Sequence, residues 1–299
     1  MAAAAAPILI MKFLRLSLAI AVVALLFVAG RRMVAAQSIT VQLGFQMVRQ
    51  GQVGIVTISD IHLIAADVVV LGRSYLCFPL AQGAGCFVAV PMEQPIKDYP
   101  LVVNGLEAGG IPVVWNGTFR VASGVFIDEM LSLPANLTYL LQNDVEANED
   151  ERLKQAYSLI TPERYWEGQF VQPIKGDLTS PFGAFRLYNG TIPNRHTGQD
   201  IHAATGTPVL AAASGQVVLS RLMDIHGNNI IIDHGWSVYS EYAHLSVRYV
   251  VSGQFVLQGQ VIGLSGSSGR STGPHFHWEV AVDGIQVNPT AFIQLTLPK

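Results

Sequence analysis

Charge is scarce in this 299-residue chain: 13% of the residues are Asp, Glu, Lys or Arg, the formal net charge is −3, and no basic block occurs. That excludes nucleic acid or an anionic membrane surface as the main partner. Cysteine is almost absent, with only Cys77 and Cys86, so no thiolate is available beyond residue 86 to close a four-ligand structural zinc site. Histidine is missing from the first 195 residues except for His62, which reads as structural or solvent-exposed. No long helical period runs through the last third. What the chain does have is apolar material: half its residues, enough at this length for two domains of ordinary size, or one large one, with buried cores.

Residues 1–36 read as an export segment. Lys12 and Arg15 precede an apolar run from Leu16 to Gly30, and Val34–Ala35–Ala36 offers a small-residue exit. As a helix that run reaches about 22 Å, short of the roughly 30 Å hydrocarbon core. A cleaved signal peptide and an uncleaved membrane anchor both stand as readings. Either one places the rest of the protein outside the cytoplasm, in the periplasm, cell envelope or medium. There Cys77 and Cys86 would close a hairpin disulfide worth about 2–4 kcal/mol, with two buried thiols as the alternative.

The expected fold class is mainly β. Over residues 37–133, short apolar runs (Val53–Ile58, Val68–Leu71, Cys86–Val90, Val113–Trp115, Phe119–Val121) are separated by the turn signals Asn104–Gly105, Gly109–Gly110 and Asn116–Gly117. This spacing predicts an antiparallel β-sandwich used for binding or scaffolding. Residues 134–164 read as a helical linker. Val145, Glu149, Leu153, Ala156, Tyr157 and Ile160 recur at helical spacing, and Asp144, Glu146, Asp150 and Glu151 form the wet face. Residues 165–299 return to strand and turn and hold seven of the eight histidines.

Two short motifs there carry chemistry. In Pro274–His275–Phe276–His277–Trp278–Glu279, strand alternation puts His275, His277 and Glu279 on one face. In His196–Thr197–Gly198–Gln199–Asp200, an imidazole and a carboxylate four apart can converge if the backbone bends at Gly198. Each is weak alone. Jointly, His196, Asp200 and His277 give two nitrogens and one oxygen, the three-ligand count of a catalytic rather than structural zinc. His244, in Tyr242–Ala243–His244–Leu245–Ser246, adds an imidazole able to move a proton or bind an oxyanion. His202, His226 and His234 read as supporting, structural or exposed.

The series His196-x-x-x-Asp200, His244–Leu245–Ser246 and His275-x-His277 resembles the M23 zinc metallopeptidases, the lysostaphin and LytM type of peptidoglycan endopeptidase. The connectors Phe182–Gly183, Gly206–Thr207–Pro208–Val209, Gly259–Gln260–Val261–Ile262–Gly263 and Ser271–Thr272–Gly273–Pro274 match in order over about residues 165–295. Residues 37–165 more weakly resemble the β-domain that precedes the peptidase in some exported members. The resemblance implies a C-terminal antiparallel β-sheet peptidase domain with one zinc ion on His196, Asp200 and His277. It also implies His244 and His275 as the non-ligand histidines, Tyr188 as the nearest candidate for a tyrosine near the transition state, and peptidoglycan peptides as partners. Glu279 and Asp233 are candidates to orient a histidine. The other reading is a non-hydrolytic wall-binding regulator that keeps the fold.

Overall fold

Alternation of apolar and polar residues between Thr40 and Ala122 builds eight strands hydrogen-bonded along one path. Their order is Thr40–Leu43, Val53–Ser59, Gly83–Ala89, Arg73–Leu80, Leu63–Val70, Asp98–Glu107, Ile111–Ala122 and Val48–Arg49. The computed structural model describes residues 39–297, and the export reading of residues 1–36 lies outside them. No helix among the described residues is long and apolar enough to cross a membrane. The strands that a sandwich would divide between two sheets here share one, antiparallel except where Val48–Arg49 runs parallel to the end of Ile111–Ala122. Cys77 and Cys86 are direct cross-strand partners and are joined by a disulfide.

Two of the turn signals behave differently from their expectation. Asn104–Gly105 and Asn116–Gly117 lie inside the long hairpin strands, and only Gly109–Gly110 makes the turn. The glycines are there for space. A Cβ at Gly117 would stand 2.2 Å from the Trp115 ring, and one at Gly105 would stand 2.6 Å from Val113. Glycine inside a strand commonly marks such close packing.

The second large sheet runs Leu178–Ser180, Gln199–Ile201, Phe276–Val282, Val238–Leu245, Asn228–Asp233, Gly215–Leu222 and Phe255–Val256, with Ile285–Val287 also paired to Phe276–Val282. Every residue of Val238–Leu245 and Phe276–Val282 is buried, so both faces of the sheet are covered. On one face, Leu153 and Tyr157, from the helix Asn143–Ala156 and its C-terminal end, pack with Leu219, Ile231, Tyr239 and Ala281. On the other, Trp236 stacks on Phe78 of the first sheet at 5.5 Å between centroids, and one apolar cluster extends through both sheets. The helix keeps its expected wet face at Asp144, Asp150 and Glu151, whereas Ile160 lies beyond it and is exposed. Glu149, on the packed face, is buried.

Two elements reach across from the stretch before the second sheet. Asp128–Leu131 pairs parallel with Phe185–Tyr188, which in turn pairs with Ile192–Arg195. The helix brings Glu149 to the loop that carries Ile225 and His226. Both thereby border the histidine-rich end of the sheet.

His234 illustrates what burial does to an imidazole away from that end. It is fully buried, Nδ1–H donates to the Ser214 carbonyl at 2.9 Å, and Nε2 lies 2.6 Å from Ser240 Oγ. Burial holds its pKa down at about 4, against an ordinary 6.5. The unfolded chain therefore takes up a proton below about pH 6.5 that the folded chain refuses until about pH 4. Stability from this group is full above 6.5 and declines towards pH 4, by roughly 3 kcal/mol in all. Denaturant unfolding across that window is expected to show the decline, and His234→Gln to flatten part of it. An identical slope in the variant would contradict the assignment.

Candidate metal centre

Cross-strand register creates the site. Asp200 of Gln199–Ile201 stands opposite His277 of Phe276–Val282, and His277 also stands opposite Ala243, one residue before His244. His196 precedes the Gln199–Ile201 strand, and the chain between them bends at Gly198. A Cβ at Gly198 would fall 2.4 Å from the Trp278 carbonyl and 2.8 Å from His277 Cε1. Gly198 thus makes the bend expected of it and also allows this close approach.

Three donor atoms meet there. His196 Nε2 is 3.1 Å from Asp200 Oδ1 and 3.1 Å from His277 Nδ1, and His277 Nδ1 is 2.8 Å from Asp200 Oδ1. All three residues are buried. Neighbouring groups fix which ring nitrogen faces the cluster. His196 Nδ1–H donates to the Pro181 carbonyl at 2.9 Å, leaving Nε2 bare. His277 Nε2–H donates to Glu279 at 3.0 Å, leaving Nδ1 inward, and Thr197 Oγ1 donates to the same carboxylate oxygen at 2.5 Å. A carboxylate behind a ligating imidazole is the arrangement that sets tautomer and raises ligand basicity.

The electrostatics also call for a cation. Burial lowers the His277 pKa, but hydrogen bonds to Asp200 and Glu279 outweigh it and raise it to about 9. His196 stays below its ordinary value because burial prevails over Asp200. Burial would raise Asp200, yet the two imidazoles hold it well below the carboxylate range. A proton on His277 thus balances the buried carboxylates, and a metal cation on the same donors does so without it. Two imidazoles, one carboxylate and fixed tautomers suit zinc, nickel or copper better than calcium or magnesium.

Asp200 carries a partner that its motif did not announce. Arg186 Nη2 is 2.5 Å from Asp200 Oδ2 and donates to Ser180 Oγ at 2.7 Å, while Arg186 Nε is 3.0 Å from Glu129. Ser180 Oγ also contacts Glu129, at 2.7 Å. Glu129 belongs to Asp128–Leu131, so that strand helps fix the carboxylate's outer oxygen.

His244 and His275 stand beside the cluster with ring centroids 4.8 Å apart, and His244 is 5.6 Å from the His277 ring. Each spends Nδ1–H on a loop carbonyl: His244 on Ser268 at 2.7 Å, His275 on Gly273 at 2.8 Å. Each therefore keeps Nε2 free, and His275 Nε2 is 3.6 Å from Asp200 Oδ1. Burial, helped by the other two rings, pushes the His244 pKa well down and keeps that imidazole neutral. His244 has φ 56°, uncommon for a side chain of this size, and its N–H is held by the His226 carbonyl at 2.8 Å.

Asp200, His244, His275, Tyr188, Arg186 and Arg270 share a cavity of about 500 Å³. His202, exposed, lies on its wall. His226 lies behind the centre, its ring 6.0 Å from His277, and Nδ1–H donates to Glu149 at 2.6 Å. Asp233 is elsewhere, accepting from Thr161 and from the Gly235 backbone. Behind His226, Glu241 stands opposite Glu279 across the strands and accepts from Tyr157 and Asn229. Glu129, Glu149, Arg186 and Glu241 are the residues that sequence reasoning missed as parts of the site. Only Glu149 left a signal, a carboxylate on the apolar face of a helix.

The sequence model of peptidase family M23 matches residues 194–289, a span that contains all five expected site residues. The chain belongs to peptidase family M23. Among M23-type relatives, the peptidoglycan DD-endopeptidase ShyC of Vibrio cholerae is 39% identical over 125 residues, covering 38% of this chain and 29% of ShyC. The chain thus matches less than a third of that curated relative's length. A Pseudomonas aeruginosa crystal structure assigned to peptidase M23 superposes with a TM-score of 0.61 at 27% identity, covering 82% of this chain and 94% of that one. The catalytic domain of lysostaphin from Staphylococcus simulans is 31% identical, over 40% of this chain and 93% of that domain, with a TM-score of 0.37. The M23 match begins at residue 194, so Glu129, Glu149 and Arg186 lie outside it.

Proposed function

We propose that the protein is an exported zinc metalloendopeptidase that hydrolyses cross-links or stem peptides of bacterial peptidoglycan. The observation that carries this reading is the convergence of His196 Nε2, Asp200 Oδ1 and His277 Nδ1 within 3.1 Å, beside two histidines with free Nε2 atoms in one cavity. Membership of a peptidase family and the resemblance to a peptidoglycan DD-endopeptidase support this substrate class.

His196, Asp200 and His277 hold the ion. Zinc bound there supplies Lewis acidity to an amide carbonyl and acidifies water at neutral pH. The chain's own groups do the rest. His244 or His275 takes the proton from the attacking water at its bare Nε2, and the Nε2–H so formed can donate to the oxyanion or to the leaving amine. Glu279 and Arg186 keep His277 and Asp200 in place. Export follows from the charged and apolar character of residues 1–36, and the wall is the compartment in which the substrate occurs.

The test is to measure bound metal and to digest purified sacculi with and without chelator. One zinc per chain is expected, with muropeptides released only by the metal-loaded protein. His275→Ala should keep the zinc and lose the release. No release by the zinc-loaded wild type, or release by the chelated protein and by His275→Ala as great as that of the zinc-loaded wild type, would overturn the hydrolase reading.

A further inference from the structure

Arg270 is an oddity of the groove. Its side chain is only 9% exposed, yet its single ion pair is loose: Nη1 is 3.4 Å from Glu146 Oε1 and 3.3 Å from the Leu140 carbonyl. Glu146 is closer to another donor, Asn194 Nδ2 at 2.8 Å. Among the described residues nothing accepts from Nε–H or from either Nη2–H, so three of the five guanidinium donors are unspent. The group is nonetheless fixed. Its Cζ lies over the buried Tyr188 ring, 5.1 Å from the centroid, and its backbone N–H is held by the Ile225 carbonyl at 2.8 Å. Arg270 and Tyr188 line the same cavity as His244, His275 and Asp200. Arg186, the other guanidinium there, is held through Nε and Nη2 by Glu129, Ser180 and the ligand Asp200, so its charge is already paired within the centre.

A rigid guanidinium with an unused fork is built for a carboxylate, which it can bind through two parallel hydrogen bonds. We propose that Arg270, laid on Tyr188, seats a free substrate carboxylate adjacent to the scissile amide. The inference rests on the wall-peptidase reading and narrows it. Bonds of this kind are those whose amine-side residue keeps a carboxylate on the carbon bearing the amide nitrogen, as in a D-alanyl-D-alanine terminus or a D-alanyl cross-link to a diamino dicarboxylic acid. An interior residue of a glycine bridge has no carboxylate at that place and is not favoured.

The test uses a stem pentapeptide ending in D-alanyl-D-alanine and the same peptide as its C-terminal amide. Each is titrated calorimetrically into the zinc-loaded full chain, and cleavage is followed in the same samples by mass spectrometry. The wild type is expected to bind the acid about 10–100-fold more tightly than the amide, the range for charge-assisted bonds. Arg270→Gln should bind both as weakly as the wild type binds the amide, and Arg270→Lys should fall between, without the fork. The wild-type comparison needs no variant, so misfolding of Arg270→Gln does not spoil it. Equal wild-type affinity for acid and amide, or no binding of either, overturns the carboxylate seat. Discrimination without cleavage supports the seat while contradicting the hydrolase reading. Cleavage of both peptides at equal efficiency does the reverse.

Discussion

Replacing His277 by alanine is expected to abolish zinc binding and hydrolysis together. His277 is the hub of the centre: its Nδ1 meets both other donors, and its Nε2–H ties the cluster to Glu279. Its loss removes one donor and leaves Asp200 and Glu279 buried with less compensating charge, on a strand whose neighbours are all buried. The effect on metal affinity should exceed the roughly 10–100-fold that follows loss of a partner behind a ligand. Glu279→Gln provides the comparison within that range, because an amide still fills the space but no longer draws the Nε2 proton so strongly. Competition with a chromogenic zinc chelator measures both. Wild-type affinity in His277→Ala would remove it from the ligand set.

Glu149→Ala is expected to be the most destabilising change outside the ligands. The carboxylate is 1% exposed and fully used: Oε1 accepts from the His226 backbone at 2.8 Å and from its ring at 2.6 Å, and Oε2 accepts from the Ile225 backbone at 2.8 Å. Burial pushes its pKa up, but the His226 ring and the two backbone donors outweigh that and bring it to about 2. On the other side, burial is overcome by Glu241, Glu149 and Glu279, so the His226 pKa rises well above its ordinary value. Truncation would leave a buried imidazolium and two backbone N–H groups without their acceptor, a loss of about 3–5 kcal/mol. For a folded unit of this size that is roughly 10 °C in the melting temperature. Activity should fall as well. The His226 carbonyl holds the His244 N–H, and the Ile225 carbonyl holds Arg270. A melting temperature within about 2 °C of wild type, too little for a loss of that size, would show that Glu149 carries no such burden.

How much of this was legible in the sequence follows from distance along the chain. His196 and Asp200, or His275 and His277, announce themselves because local geometry alone brings such pairs together. The strand pairing of Asp200 with His277 joins the two motifs, and the expected set is found together in space. Arg186 and Glu129 were illegible as site residues, and Glu149 showed only as a carboxylate on an apolar helix face, because each comes from a different element and only tertiary packing sets its partner. The Asn–Gly pairs misled for a related reason. A glycine in a strand and a glycine in a turn look alike until the neighbouring Trp115 or Val113 side chain is in place. Tyr188, singled out by resemblance, does border the groove, where its ring lies against the Arg270 guanidinium.

The central claim is that one metal ion sits on His196, Asp200 and His277. The most direct measurement is an anomalous difference map collected on either side of the zinc edge from crystals of the zinc-loaded protein. The account predicts one strong peak within bonding distance of His196 Nε2, Asp200 Oδ1 and His277 Nδ1, with His244 and His275 not bonded to it. A peak at the other buried group, His226 with His277 and Glu279, or no zinc signal from an active protein, would contradict it.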